Sequence, residues 1–168
     1  MALISVDFYG SLNEDADFWQ EFLGYVVEEG HKVSIITGPW PKDIAEKLEF
    51  AGYELGKHYH NVHSILWFLS EMGLDIWYDE DHDSWYSAES PWWRAKARIC
   101  KNNGISLHLD SDDRFAEAFK TVPTRFVDIG KDPGKDLLRK WYNELKQANT
   151  YEDFEDEYMY MMGGYVPM

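Results

Sequence analysis

A small set of polar residues in this sequence stands where side chains can do chemistry. Asp7 closes the apolar run Ala2 to Val6, Thr37 closes Lys32 to Ile36, and Asp110 closes Ile105 to Leu109, with Asp112 and Asp113 just beyond. Lys96 and Lys101 lie on the segment leading to Asp110, and Tyr9 follows closely after Asp7. Carboxylates serve as nucleophiles, proton carriers or ligands for a hard cation, while an ammonium group neutralises negative charge on a reacting group. The chain has no phosphate-cradling Gly-rich loop, metalloprotease helix, cysteine-based zinc motif or nucleophile-elbow serine, which removes the commonest other hydrolytic classes.

These residues matter only if the elements around them bring them together. Ala2 to Val6 reads as a strand buried on both faces. A helix follows, with Phe18, Phe22 and Val26 on one stripe, Asn13 or Asp15 as its cap and Gly30 as its stop. Lys32 to Ile36 reads as the second strand; Pro39 and Pro41 then break regular structure before a helix from about Asp43 to Phe50. His60 to Met72 carries Ile65, Leu69 and Met72 at helical spacing, and Leu74 to Tyr78 reads as the third strand. Asp79 to Ser90 is an acidic, polar stretch, after which Ser90 and Pro91 open a helix running to Asn103 and stopped by Gly104. Ile105 to Leu109 is the fourth strand, Arg114 to Phe119 a short helix, and Thr124 to Val127 the fifth strand.

Alternating strands and helices predict an α/β fold, a doubly wound, Rossmann-like parallel sheet of about five strands with helices on both faces. Ligands of such sheets collect at the carboxyl ends of the strands, where Asp7, Thr37 and Asp110 all fall. Asp132 and Pro133 open a last helix with the apolar stripe Leu138, Trp141, Tyr142 and Leu145. Residues 1–149 are therefore expected to form a single domain, with 150–168 as an acidic, aromatic, Met-rich tail that packs on it or is loosely held.

Composition agrees with one globular core. The 168 residues are 45% hydrophobic and 17% aromatic, enough apolar surface to offset chain entropy in one domain. The 31 acidic residues against 16 basic ones give a net charge of −15, which argues against broad nucleic-acid binding and suits either solubility or collection of a divalent cation. Cys100 is the only cysteine, so no internal disulfide framework forms and a reducing, cytoplasmic setting is expected. Neither a signal peptide nor a membrane span is legible, so no membrane partner is expected.

The run ISVDFYGSL resembles the first motif of the haloacid dehalogenase-like superfamily, an apolar strand followed by Asp-x-Asp-Gly-Thr/Ser-Leu. SIITG resembles the second, a strand ending in Thr or Ser. KARICKNNGISLHLDSDD is similar to the third and fourth, a helical Lys followed by a strand ending in clustered acids. Order and spacing agree over about Met1 to Val127. The resemblance implies a compact magnesium-dependent phosphohydrolase acting on a small phosphorylated substrate, a phosphate monoester such as a nucleotide. It implies Asp7 as the nucleophile that forms an aspartyl-phosphate, Thr37 as a hydrogen-bond donor to the phosphoryl oxygens, and Lys96, or else Lys101, as the neutralising charge. It implies a Mg2+ site made of Asp7, the backbone carbonyl of Tyr9, Asp110, and Asp112 or Asp113.

One position departs from that pattern. Hydrolytic members carry a second acid two residues after the nucleophile, where this chain has Tyr9. A phenol ordinarily has a pKa near 10 and is a poor base at neutral pH, so a loss of about 10²- to 10⁴-fold in acid-base help is expected. Asp15 or Asp17 could replace the acid, the substrate could have a leaving group that needs no proton, or the protein could be a non-catalytic binding or regulatory member. The intervals after the first two motifs leave no space for a large lid domain, so the site is either open or shielded by Asp79 to Ser90.

Other clusters carry weaker chemistry. His58, His60 and His63, or the acidic run Asp79, Glu80, Asp81, His82 and Asp83, could hold a metal, but neither has a recognised ligand register. Trp85, Tyr86, Trp92 and Trp93 could line a mouth that stacks on a base or sugar, or pack in the core. Phe154, Tyr158, Met159, Met161 and Met162 could dock on the domain or make a homo-oligomer contact.

Overall fold

The computed structural model describes residues 1–130 together with Asp136 and Arg139. Its centre is a five-stranded, wholly parallel sheet in the order β3-β2-β1-β6-β7, flanked by helices in a Rossmann-like arrangement. The strands are β1 (Leu3–Val6), β2 (Lys32–Thr37), β3 (Asn61–Ser64), β6 (Leu107–Asp110) and β7 (Arg125–Asp128), with β4 (Ile76–Asp79) and β5 (Ser84–Ser87) forming a separate antiparallel hairpin. The helices are α1 (Ala16–Glu28), α2 (Pro41–Phe50), α3 (Ile65–Glu71) and α4 (Glu89–Asn102), and a 3₁₀ helix spans Asp113–Thr121.

The core follows from period-two alternation in strands buried on both faces. Ile4 and Val6 join Val33, Ile35, Leu107 and Leu109 against Trp19, Phe22 and Leu23 of α1 and Ile44 and Leu48 of α2. Leu3 and Ile36 enter a second apolar cluster with Ile65 and Leu69 of α3, Ala95 and Ile99 of α4, and Phe115 and Phe119 of the 3₁₀ helix. Val6 is level with Ile35 on one side and with Leu109 on the other. That register brings Asp7, Thr37 and Asp110 to the same edge of the sheet.

Local signals act much as their chemistry dictates. Asp15 caps α1 by accepting from the Phe18 N–H, Pro41 occupies the first turn of α2, and Gly30 takes the left-handed conformation (φ 94°) after α1. Between β1 and α1, Phe8–Leu12 makes a wide helical turn interrupted at Tyr9 and at Gly10, whose φ is 79°.

Three expectations need correction. The span His60 to Met72 is not one helix: Asn61–Ser64 is edge strand β3, paired with β2, and α3 begins only at Ile65, where Ser64 Oγ accepts from the Trp67 N–H. Leu74 to Tyr78 is not the third sheet strand, because Ile76–Asp79 pairs antiparallel with Ser84–Ser87, inside the stretch expected to be loop. The Ser90-Pro91 cap is displaced, since α4 starts at Glu89 after Ala88 and no side chain caps it. The first two errors have one cause: strand pairing outranks local periodicity in short segments. The last helix and the tail at 150–168 lie outside the described residues, except that Asp136 and Arg139 are helical and Arg139 pairs with Asp15. No helix among the described residues is long and apolar enough to cross a membrane.

A Cβ on Gly130 would lie 2.6 Å from the Ser111 carbonyl oxygen, beside the tip of β6, whereas one on Gly73 would meet nothing within 4 Å. Urea denaturation of Gly130→Ala should show a loss of about 1–3 kcal/mol from overpacking against backbone. Gly73→Ala should lose only about 1 kcal/mol, the cost of its left-handed φ of 74°. The opposite ranking would show that the chain does not close on Ser111.

Candidate functional site

The sheet order reverses direction between β1 and β6, and the crevice at such a switch point is where open parallel sheets place ligands. Asp7 is the residue after β1, with its N–H donating to the Leu109 carbonyl at 3.0 Å, and Asp110 ends β6. Lys96, on the inward face of α4, reaches between them. Its Nζ donates to Asp7 Oδ1 at 2.9 Å and to Asp110 Oδ2 at 2.6 Å. Asp7 is 4% exposed, Lys96 2% and Asp110 0%, so all three charges are removed from water and must be satisfied by one another.

A further buried chain supports Asp110. His108 Nε2 lies 2.9 Å from Asp110 Oδ2, and His108 Nδ1 lies 2.7 Å from Ser5 Oγ. The imidazole is stacked on Phe119 at 5.3 Å. Asp110 Oδ1 accepts from the Asp112 N–H at 2.9 Å. The Lys96 ammonium also sits 4.1 Å from the Phe115 ring centre, a cation-π contact strengthened by the absence of water.

These contacts set the charge states. Burial drives the Asp7 carboxyl up, Lys96 pulls it down, Asp110 pushes it up again, and it comes to about 6. Burial would also raise Asp110, but the His108 hydrogen bond and the Lys96 charge outweigh it and hold it at about 2. Burial lowers Lys96, yet the Asp7 and Asp110 carboxylates more than reverse this and keep the ammonium protonated. Burial pushes His108 below its ordinary value, so at neutral pH it is a neutral imidazole. The site thus holds a firmly ionised Asp110, a firmly charged Lys96 and a marginal Asp7.

Above this floor lies a cavity of about 550 Å³ whose lining includes Asp7, Tyr9, Thr37, Lys96 and Asp112. Thr37, 2% exposed at the end of β2, faces it from the neighbouring strand. Trp92 packs so close to Gly38 that a Cβ there would lie 3.0 Å from the indole. Trp85, Trp92 and Trp93 form much of the wall. Trp85 and Asp83 come from the β4–β5 hairpin, which therefore borders the cavity. Tyr86 does not line the cavity; it stacks on Trp77 at 6.5 Å.

The ambiguous positions resolve by place. Lys96, not Lys101, lines the cavity, because Lys101 is exposed on the other side of α4. Asp112 lines the cavity, with its carboxylate held by Arg114 at 2.9 and 2.7 Å, and Asp113 does not line it. Tyr9 is 41% exposed, and its carbonyl accepts from Ser111 Oγ at 3.2 Å. Asp15 and Asp17 do not face the cavity: Asp15 caps α1, and Asp17 lines a separate surface hollow with Gln20 and Lys57.

Two histidines of the other cluster have structural work. His58 Nδ1 accepts from the Glu54 N–H at 2.9 Å, and His60 Nδ1 accepts from the Val33 N–H at 3.1 Å. Asp79 likewise holds its own hairpin, accepting from the Asp81 N–H at 2.9 Å and contacting His82 Nδ1 at 2.7 Å. Among the described residues no three His, Cys, Asp or Glu side chains are gathered as a metal cage.

Sequence reasoning missed His108, Ser5 and Arg114. The first two sit inside strands that read as simple buried β structure, although a His and a Ser in fully buried runs were themselves a signal that a polar network lies between strands.

Lys96→Met should cost about 3–5 kcal/mol in urea denaturation at pH 8, because it leaves two buried carboxylates unpaired. The loss should shrink at pH 5, where the orphaned carboxylates take up protons. Asp7→Asn should behave oppositely. Asp7 binds its proton more tightly folded than unfolded, so its ionised form opposes folding above pH 6, and the amide should stabilise by about 2 kcal/mol at pH 8. That gain should fade between pH 6 and pH 4 as native Asp7 protonates. No family model matches this sequence, and neither a curated protein nor a solved structure matches it, so the functional reading rests on residues and geometry.

Proposed function

We propose that this protein is a phosphohydrolase of the haloacid dehalogenase-like kind, doubly wound in topology, that cleaves phosphate monoesters by way of an aspartyl-phosphate on Asp7. The observation that carries the reading is the buried Asp7-Lys96-Asp110 bridge at the switch point of the parallel sheet. A carboxylate oxygen aimed at a cavity floor, with an ammonium beside it and a threonine facing the same space, suits attack on a phosphoryl group.

The chain's own residues divide the work. Asp7 attacks phosphorus, the bond from phosphorus to the leaving oxygen breaks, and the leaving group departs with the bonding pair. Water then attacks the aspartyl-phosphate, releasing inorganic phosphate and regenerating Asp7. Lys96 neutralises the phosphoryl oxygens and keeps Asp7 ionised, while Thr37 donates a hydrogen bond to them. Asp110, held by His108 and the Asp112 N–H, keeps Lys96 in place. Trp85, Trp92 and Trp93 present flat apolar faces to the organic part of the substrate, as a nucleoside would need.

Burial, with the neighbouring Asp110, raises the Asp7 carboxyl to about 6 in spite of Lys96, and two carboxylates beside one ammonium leave a net negative charge. Asp7, Asp110, the Tyr9 carbonyl and Asp112 offer oxygen donors of the kind magnesium takes and are the residues that would hold it alongside waters, although their carboxylates are not gathered as a cage in this arrangement. The ion would supply further neutralisation of the phosphoryl charge.

Tyr9 leaves the leaving group without the usual acid. Asp83, on the hairpin wall, is a carboxyl that lines the same cavity, where Asp15 and Asp17 do not. A second reading, a binding or regulatory protein that retains the pocket without turnover, is favoured by Tyr9 alone.

Phosphate release from an aryl phosphate should require magnesium and should fall to background in Asp7→Asn. Aryl phosphates, whose phenolate leaves without a proton, should outperform alkyl phosphates. Tyr9→Asp should raise alkyl phosphate turnover by about 10²- to 10⁴-fold. Absence of turnover in both the natural protein and Tyr9→Asp would sink the enzyme reading and leave the binding one.

A further inference from the structure

The helix that sends Lys96 inward presents a basic face outward. Arg94 and Arg98 stand one turn apart on α4 and are exposed. Opposite them, the 3₁₀ helix repeats every three residues, so Arg114, Glu117 and Lys120 fall on one side. The two walls enclose a groove of about 550 Å³ that gathers four cations against the single carboxylate of Glu117. In a chain of net charge −15 such a concentration needs a reason. Lys120 is paired with Glu117 at 2.9 Å and Arg114 with Asp112 at 2.7 Å, whereas Arg94 and Arg98 make no ion pair among the described residues.

The groove is not isolated from the cavity over Asp7. Trp93 and Arg114 line both, and the Arg114 guanidinium lies 4.5 Å from the Trp93 ring centre. A ligand leaving the cavity past Trp93 therefore enters a channel of arginines. On the reading of the cavity as a phosphomonoesterase site, we infer that the groove is a subsite for the internal phosphates of a single-stranded oligonucleotide whose terminal phosphate enters the cavity.

The repeat chemistry of that ligand matches what the surface offers. A mononucleotide would be used up within the cavity, but a strand carries a further phosphate at each nucleotide and can reach the groove. Its bases offer π faces to Trp85, Trp92 and Trp93, which an acidic peptide lacks. The overall negative charge restricts contact to this one path, so binding is local and short rather than a coating of the surface.

The test uses the full chain carrying Asp7→Asn, with and without Arg94→Ala and Arg98→Ala, and a labelled oligothymidylate of about six nucleotides phosphorylated at its 5′ or 3′ end. Fluorescence anisotropy should show binding that weakens with salt, with a log-log slope reduced by about 1.4 in the double arginine variant, the share of two single-strand phosphates. Affinity should fall at least about tenfold in that variant. In the protein with Asp7 intact, Arg94→Ala with Arg98→Ala should leave aryl phosphate turnover unchanged while raising KM for the oligonucleotide. Equal affinity in the arginine variant, or no binding of either phosphorylated probe, overturns the inference. So does displacement of the probe by polyglutamate as readily as by unlabelled oligothymidylate, which would assign the groove to an acidic protein segment. If aryl phosphate is not cleaved but arginine-dependent binding persists, the phosphatase reading fails and the oligonucleotide groove stands.

Discussion

An ammonium group held between two carboxylates, with almost no access to water, governs the architecture around it. Lys96 reaches Asp7 and Asp110 at hydrogen-bond distance, and none of the three has a solvent shell to fall back on. An unpaired charge in such a place is costly, whereas the paired set is tolerable only when geometry and hydrogen bonds are complete. The strand tips, α4 and the 3₁₀ helix must therefore all arrive together. Asp7 and Asp110 are placed by the β1-β6 register, Lys96 by the inward face of α4, and the aromatic support under Lys96 by Phe115.

The two carboxylates of this arrangement are held asymmetrically. Asp110 receives Lys96, the His108 ring and a backbone N–H, and stays ionised down to about pH 2. Asp7 shares Lys96 but has far less help, and its carboxyl rises to about 6. One acid is thereby a fixed anchor for Lys96 and the other has an ionised form held at some cost in stability, a division that marks a candidate site. His108 and Ser5 extend the network across β1 and β6 without facing the cavity. Their position suits keeping the anchor rigid.

Around this floor each element type supplies a different part of the cavity lining. Strand ends supply Asp7 and Thr37, α4 supplies Lys96 and, one turn away, Trp92 and Trp93, and the small hairpin supplies Trp85 and Asp83. Because α4 has a buried face and an exposed one, a single helix serves both the charge network and the arginine-lined groove.

The amino-acid sequence by itself determined the alternating α/β order, the central strands β1, β2 and β6, and the polar residues at their tips, because branched apolar runs ended by Asp or Thr encode buried parallel strands locally. It also pointed to Lys96 and Asp112, though not over Lys101 and Asp113. Only the tertiary structure decided those choices, since Lys96 and Lys101 sit on one helix and differ only in which face meets the sheet. It decided too that Asn61–Ser64 is an edge strand and Ile76–Ser87 a hairpin, because four-residue polar strands exist only by pairing with partners elsewhere in the chain. The contacts that join Arg94, Arg98 and Arg114 into one groove were likewise invisible in one dimension. They arise from side chains brought together by packing, and no periodicity along the chain records which distant residues will meet.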